Sequence, residues 1–132
     1  IDNTFYKKTY VQNQILGRAL LESVLFYDGK CIFTTVTIDE MEFYGVTGRE
    51  LGGIVEQLRL TDGVEVAIFL YQTGEEEYKV SLRSKKKIDV AAIATQFGGG
   101  GHVRAAGYTA KGSVYQIINS IGELIEKQYN AM

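Results

Sequence analysis

The apolar residues of this chain switch several times between the spacing of an amphipathic helix and the alternation of a β-strand. From Thr4 to Leu21 they recur at helical spacing, whereas from Val64 to Leu70 they alternate with other residues, as in a strand with one buried face. Another helical stripe begins after Ser113. Because helices and strands follow one another along the sequence, we expect an α/β fold: a single domain in which helices flank a mixed β-sheet and a glycine-rich loop precedes a short strand.

Turn and capping residues divide the chain into its elements. Asp28-Gly29 and Gly74–Glu77 each separate two runs with strand character, so each predicts a hairpin. The predicted strands are Val24–Tyr27, Cys31–Ile38, Val64–Leu70, Tyr78–Leu82 and Ala105–Thr109. The predicted helices, with the expected capping residue in parentheses, are Thr4–Leu21 (Asn3 or Thr4), Asp39–Tyr44 (Asp39), Arg49–Leu60, Val90–Phe97 (Asp89) and a last helix that begins at Ser113.

The composition restricts the classes of function. The 132 residues fit one domain, and the formal charge of −2 means that a bound polyanion must be held by a local group of donors. A wide duplex-binding surface is therefore not expected. Cys31 is the only cysteine, which excludes an internal disulfide, and its apolar neighbours Ile32 and Phe33 predict a core position.

The sequence contains no candidate for a membrane-spanning segment. No window approaches about 18 uninterrupted apolar residues, and residues 1–4 lack the regions of a signal peptide. We therefore expect a cytoplasmic protein without a membrane partner. Because the chain starts with Ile1 and not with Met, we also expect it to be a piece of a longer protein.

A run of four glycines carries the strongest indication of function. The run consists of Gly98, Gly99, Gly100 and Gly101. Ordering four glycines costs much conformational entropy, which a fold seldom accepts unless the backbone must approach something closely. A row of N–H groups without side chains forms a concave anion site, and His102, the only histidine, follows at once with a ring that can donate to a phosphate oxygen.

A basic side chain near this run completes the pattern. Arg83 ends a predicted strand, and its planar guanidinium suits the two-pronged geometry of a phosphate. Ala105–Gly107 are small enough for a strand to pack closely beneath the glycines. Taken singly, a glycine run is more often a flexible loop, Arg83 a solvated strand end and Lys85–Lys87 an exposed charged turn. The combination favours phosphate binding.

Three motifs resemble a known family. They are Ser81–Ser84 (Ser-Leu-Arg-Ser), Asp89–Ala94 (Asp-Val-Ala-Ala-Ile-Ala) and Gly98–His102 (Gly-Gly-Gly-Gly-His), the last followed by Ala105–Gly107. Together they resemble the DHH-associated, substrate-binding C-terminal domain of DHH phosphoesterases, in the NrnA-type branch of oligoribonucleases and 3′-phosphoadenosine 5′-phosphate (pAp) phosphatases. The similarity extends over residues 1–132.

The resemblance implies a protein with two domains that face each other across a cleft. In that family an N-terminal DHH domain binds two Mn²⁺ ions and activates water, and the C-terminal domain grips the nucleotide. Carried over to this sequence, Arg83 and His102 contact phosphate or base, Gly98–Gly101 shape the pocket, and Ser84 and Arg104 are weaker candidates for the same surface. The implied substrates are short single-stranded RNA, pAp and dinucleotides.

The sequence departs from the family pattern in what it lacks. It has one histidine and no Asp-His-His motif, whereas a dinuclear hydrolytic centre needs several carboxylate and imidazole ligands. We therefore expect a fragment of a longer hydrolase, with no catalytic residue, metal ligand or cofactor of its own, that is inactive alone. Its expected partners are a nucleotide and the DHH domain, which would hold the Mn²⁺, and a homodimer stays open.

Three other functions stay open on the sequence alone. The first is a stand-alone nucleotide-binding or regulatory module, for which the chain would need no catalytic partner. The second is the accessory domain of alanyl-tRNA synthetases, although the charge of −2 does not favour a tRNA-facing surface. The third is part of a RecJ-like single-stranded DNA exonuclease, whose groove would combine basic residues with stacking aromatics.

Overall fold

Six strands pair into one sheet in the order β1-β2-β3-β4-β6-β5 in the computed structural model, which describes residues 9–132. The strands are β1 (Val24–Phe26), β2 (Cys31–Val36), β3 (Val66–Gly74), β4 (Glu77–Ser84), β5 (Gly100–His102) and β6 (Ala105–Lys111). The helices are α1 (Tyr10–Leu21), α2 (Ile38–Tyr44), α3 (Gly53–Arg59), α4 (Val90–Gln96) and α5 (Val114–Asn130). A 3₁₀ turn at Gly48–Glu50 precedes α3.

The sheet is mixed, as the sequence predicts. β2 and β3 run parallel, and the other neighbouring strands are antiparallel. Both predicted hairpins are confirmed, since β1 pairs with β2 and β3 pairs with β4. The predicted α/β class with helices flanking one sheet is therefore confirmed.

The helices form two layers, one on each face of the sheet. The buried cluster beneath α4 and α5 includes Leu82 of β4, Tyr108 of β6 and Ile121 of α5. The cluster beneath α1, α2 and α3 includes Phe69 of β3 and Leu58 of α3, but among the described residues it contains none from β4, β5 or β6. Within residues 9–132, the second layer therefore covers only about half of its face.

The first helix starts later than the sequence predicts. α1 begins at Tyr10 because the Thr9 hydroxyl accepts a hydrogen bond from the backbone N–H of Gln12, and the Gln12 side chain accepts one from the N–H of Thr9. This reciprocal arrangement satisfies two backbone donors at once. The expected caps Asn3 and Thr4 lie outside the described residues.

The predicted cap of α2 is wrong by two residues. Thr37, not Asp39, caps the helix, because its hydroxyl accepts from the N–H of Glu40 while the Glu40 carboxylate accepts from the N–H of Thr37. The predicted caps Asp89 and Ser113 are confirmed. The predicted helix Arg49–Leu60 is interrupted, since the 3₁₀ turn and α3 are separated near the weak helix former Gly52.

Cys31 is fully buried, as expected, and burial raises the pKa of its thiol to about 12. Within residues 9–132, no helix is both long and apolar enough to cross a membrane.

Glu65 fixes the loop that follows β4. Its carboxylate accepts hydrogen bonds from the backbone N–H groups of Lys86, Lys87 and Ile88, at 2.7 to 3.0 Å for Oε2. Burial acts to raise the pKa of this carboxyl, but the backbone hydrogen bonds outweigh burial and lower it. The loop therefore leaves the end of β4 in a defined direction.

We expect Glu65→Gln to lower the free energy of unfolding by about 1.5 to 3 kcal/mol at pH 7, the usual value of hydrogen bonds to a charged group. Because the folded-state pKa of Glu65 is lowered, this contribution is complete above the unfolded pKa of about 4.3 and is lost as the pH falls through the folded value. Urea titrations from pH 7 to pH 3 measure it, with the exposed Glu126→Gln as control. A loss of stability that is equally large at pH 3 and pH 7 would contradict this role.

Candidate functional site

Strand pairing brings Arg83 and His102 into one row across three strands. Arg83 of β4 lies opposite Ala105 of β6, and Ala105 lies opposite His102 of β5. Residues directly opposite each other project from the same face of a sheet. Since adjacent strands are about 4.8 Å apart, the Cα atoms of Arg83 and His102 are roughly 10 Å apart. Only the methyl group of Ala105 lies between them in this row.

Within residues 9–132, this row begins at the border of the half that α1, α2 and α3 cover, where Arg83 lies, and continues beyond it to Ala105 and His102. A second row on the same face joins β4, β6 and β5 next to it. We call the surface made by the two rows the open face, and it consists of Ser81, Arg83, Gly100, His102, Ala105 and Gly107. Gly100 and His102 are exposed, and the other four are half-buried. The open face is therefore a floor of small residues with a cation on one side and an imidazole on the other.

The four glycines do not share one role. Gly98 and Gly101 have φ values of +87° and +145°, which side-chain-bearing residues rarely adopt. A β-carbon at Gly99 would overlap the carbonyl oxygen of Gly107, and one at Gly101 would lie 2.6 Å from a carbonyl oxygen of β6. Gly100 has neither restriction, since a β-carbon there would meet no atom within 4 Å. The fold itself thus requires three of the four glycines, and Gly100 is the exception.

The glycine segment is less of a loop than the sequence predicts. Gly100–His102 forms β5 and pairs with Ala105–Gly107 of β6. Phe97, just before the run, stacks on the ring of Tyr108 of β6 with centroids 4.9 Å apart. The expected close packing of Ala105–Gly107 against the glycines is confirmed, but by strand pairing and not by a turn lying on a strand.

Hydrogen bonds fix the guanidinium of Arg83, so Arg83 is not a solvated strand end. Its Nε donates to Glu56 Oε2 at 3.0 Å, and its Nη1 donates to the carbonyl oxygen of Leu82 at 3.0 Å. Glu56 also accepts from Arg59 Nε at 2.9 Å. Burial acts to raise the pKa of the Glu56 carboxyl, but the hydrogen bonds from Arg59 and Arg83 outweigh burial and lower it. The guanidinium of Arg83 is therefore positioned before any ligand arrives.

Ser84 and Arg104 have internal partners and do not join the open face. Ser84 is buried, and its hydroxyl donates to the carbonyl oxygen of Ile88 at 2.7 Å. Arg104 Nη1 donates to the same oxygen at 2.6 Å, and Nη2 donates to the carbonyl oxygen of Lys86 at 2.6 Å. Both side chains hold the loop after β4, so we do not carry them into the proposed ligand site.

The remaining basic residues divide between structural and exposed positions. His102 is exposed, and its ring makes no hydrogen bond with any residue from 9 to 132. Lys85 Nζ donates to the carbonyl oxygen of Thr61 at 2.9 Å. Lys86 and Lys87 are exposed, as expected of a charged turn.

Sequence reasoning missed Glu56 and Phe97. Glu56 lies on α3, and its contact with Arg83 depends on how α3 packs on the sheet, so no local pattern indicates it. Phe97 stands at the end of a predicted helix and carries an aromatic ring just before the glycines, which is a weak indication of an anchor.

The described residues do not provide a metal centre. From residue 9 to residue 132, no three His, Cys, Asp or Glu side chains are grouped so that they could hold one ion. The donor set therefore does not fit the pair of Mn²⁺ ions that the resemblance associates with the DHH domain. Those ions stay an expectation for that other domain.

Comparison with known proteins decides the family. The family model of the DHHA1 domain matches residues 28–128, a range that contains the whole open face. The chain belongs to the DHHA1 domain family. The resemblance drawn from the motifs of β4, α4 and the glycine run is thus confirmed.

Individual relatives of this DHHA1 domain are larger proteins. A bifunctional oligoribonuclease and PAP phosphatase NrnA from Thermus thermophilus is 47% identical over 55 residues, which are 42% of this chain and 17% of that protein. An exopolyphosphatase-related protein from Bacteroides fragilis has a similar structure (TM-score 0.84, 22% identity), with 96% of this chain and 39% of that chain covered. The pGpG-specific phosphodiesterase PggH from Vibrio cholerae is more distant (TM-score 0.57, 10% identity), with 91% and 39% covered.

This chain corresponds to only part of each of these relatives. This DHHA1 domain spans 17% of the length of the Thermus thermophilus protein and 39% of each of the two solved chains. At their low sequence identity the two structures show a shared fold.

We expect alanine to destabilise the fold strongly at position 99 and hardly at position 100. Gly99→Ala should lower the free energy of unfolding by about 2 kcal/mol or more, because its β-carbon would overlap β6. Gly100→Ala should change it by less than about 0.5 kcal/mol, as at other unconstrained surface positions. Urea unfolding of both variants measures the difference. A Gly100→Ala variant as unstable as Gly99→Ala would mean that the fold needs all four glycines.

Proposed function

We propose that this DHHA1 domain binds the phosphate of a nucleotide on the open face. The observation that carries the proposal is the row of Arg83, Ala105 and His102 on an uncovered sheet face. A sheet face that no helix within residues 9–132 covers beyond Arg83, with a floor of small residues, offers space for a ligand. A guanidinium fixed at one side of that space supplies the charge that a phosphate requires.

Each part of the open face has a separate task in this proposal. Arg83 donates to phosphate oxygens through Nη2, which has no hydrogen-bond partner within residues 9–132, and through the second N–H of Nη1. His102 donates to a second oxygen or stacks beside the base. Gly100 carries no side chain because the ligand occupies the space above it, which accounts for the one glycine that the fold does not require.

The proposed parent protein is a DHH phosphoesterase, a hydrolase of short oligoribonucleotides, pAp or related dinucleotides. The activities in the names of the Thermus thermophilus and Vibrio cholerae proteins support nucleotide substrates. In this proposal an N-terminal DHH domain faces the open face and carries the Mn²⁺, which supplies an activated water when bound. The DHHA1 domain holds and orients the nucleotide, and alone it hydrolyses nothing.

Replacement of Arg83 tests this proposal. We expect Arg83→Ala to weaken the binding of AMP to this chain roughly ten- to a hundredfold, since it removes a charge-assisted hydrogen bond of about 1.5 to 3 kcal/mol. Isothermal titration measures the affinity, and urea unfolding checks that the variant is folded. Lys127→Ala removes one positive charge from α5, on the other side of the sheet, and should leave the affinity within about twofold. Equal affinities for Arg83→Ala and the unchanged chain would contradict the proposal.

A further inference from the structure

Two guanidinium groups share one carboxylate beside the open face. Arg59 Nε donates to Glu56 Oε1 at 2.9 Å, and Arg83 Nε donates to Glu56 Oε2 at 3.0 Å. Each arginine therefore uses a different oxygen of the same carboxylate. The three side chains form one cluster with a net charge of +1, which we call the paired-arginine cluster.

The geometry of the cluster leaves donors available. Both arginines face Glu56 through Nε, and Nη1 of Arg83 donates to the carbonyl oxygen of Leu82. Within residues 9–132, the two terminal nitrogen atoms of Arg59 have no hydrogen-bond partner, and neither does Nη2 of Arg83. An arginine offers five N–H donors, so most of the capacity of Arg59 is unused.

An ion pair between residues three apart on one helix, such as Glu56 with Arg59, does not by itself indicate a binding site. Pairs three residues apart on an exposed helix contribute only a few tenths of a kcal/mol, and many have no role beyond that. The tertiary contact from Glu56 to Arg83 distinguishes this pair, because it joins the middle of α3 to the open face. The side chains of Arg59 and Arg83 are also only 34% and 26% exposed, so both charges are partly shielded from water.

The paired-arginine cluster continues the row of His102, Ala105 and Arg83 toward β3. His102 lies two strands away from Arg83 on the side of β5, whereas α3, which carries Arg59, lies over the side of β3. A ligand on the open face therefore meets His102, then Arg83 and then Arg59. A phosphate held between His102 and Arg83 would therefore have Arg59 as the next cation along this line.

We propose that Arg59 is a second phosphate-binding residue, so that this site selects nucleotides with two phosphate groups over those with one. Glu56 is the positioning residue that holds the two guanidinium groups side by side. This inference rests on the proposed function, since it assumes that the first phosphate binds at Arg83.

Two ligands that differ by one phosphate test the inference. We expect Arg59→Ala to weaken the binding of pAp roughly tenfold and that of AMP less than about twofold, because only pAp has a group that reaches Arg59. The salt dependence of pAp binding should also become weaker in Arg59→Ala, since one screened charge contact is lost. Arg59→Lys keeps the positive charge but loses the planar guanidinium that can donate two parallel hydrogen bonds, so this variant should bind pAp with intermediate affinity. Lys127→Ala is the control for charge alone.

The outcomes separate the inference from the proposed function. If the unchanged chain binds neither AMP nor pAp, both fail. If it binds both and Arg59→Ala weakens neither, or weakens both by the same factor, only the inference fails. An equal loss would mean that Arg59 acts by supporting Arg83 through Glu56 and touches no phosphate.

Discussion

The pairing of β5 with β6 places His102, and that pairing depends on two backbones that approach each other without side chains. A β-carbon at Gly99 or Gly101 would collide with β6, so glycine at these positions lets the short strand close on Ala105–Gly107. β5 has only three residues, which is the lower end of ordinary strand length. The stacking of Phe97 on Tyr108 adds an anchor at the start of the segment. The position of the imidazole opposite Ala105 follows from this contact.

The uneven covering of the sheet explains why a site exists beside this contact. α4 and α5 bury one face from β2 to β6, whereas among residues 9–132 the cluster beneath α1, α2 and α3 ends at β3. The open face has small residues beside Arg83 and His102, whereas the covered half has larger apolar residues such as Ile32 and Phe69. Arg83 stands at the border between the two halves, and Glu56 on the covering helix α3 fixes its guanidinium. The same helix thus closes the core and orients the charge.

Local signals in the sequence predict most of the fold and part of the site. The caps Asp89 and Ser113 and both hairpins follow from turn and capping preferences. The prediction of Asp39 as the cap of α2 is wrong because Thr37 and Glu40 satisfy each other's backbone N–H groups two residues earlier. Arg83 and His102 can be selected from their motifs, but their common row depends on strand register. Glu56 could not be found from the sequence, because its contact with Arg83 joins residues 27 positions apart.

A crystal structure of this chain with bound pAp tests the central claim most directly, because it shows where the phosphate lies. We expect a phosphate oxygen about 3 Å from the guanidinium nitrogen atoms of Arg83, with the nucleotide lying over Gly100 and His102. A phosphate bound instead at the loop of Lys85–Lys87, with the open face empty or covered by another part of the protein, would contradict the claim.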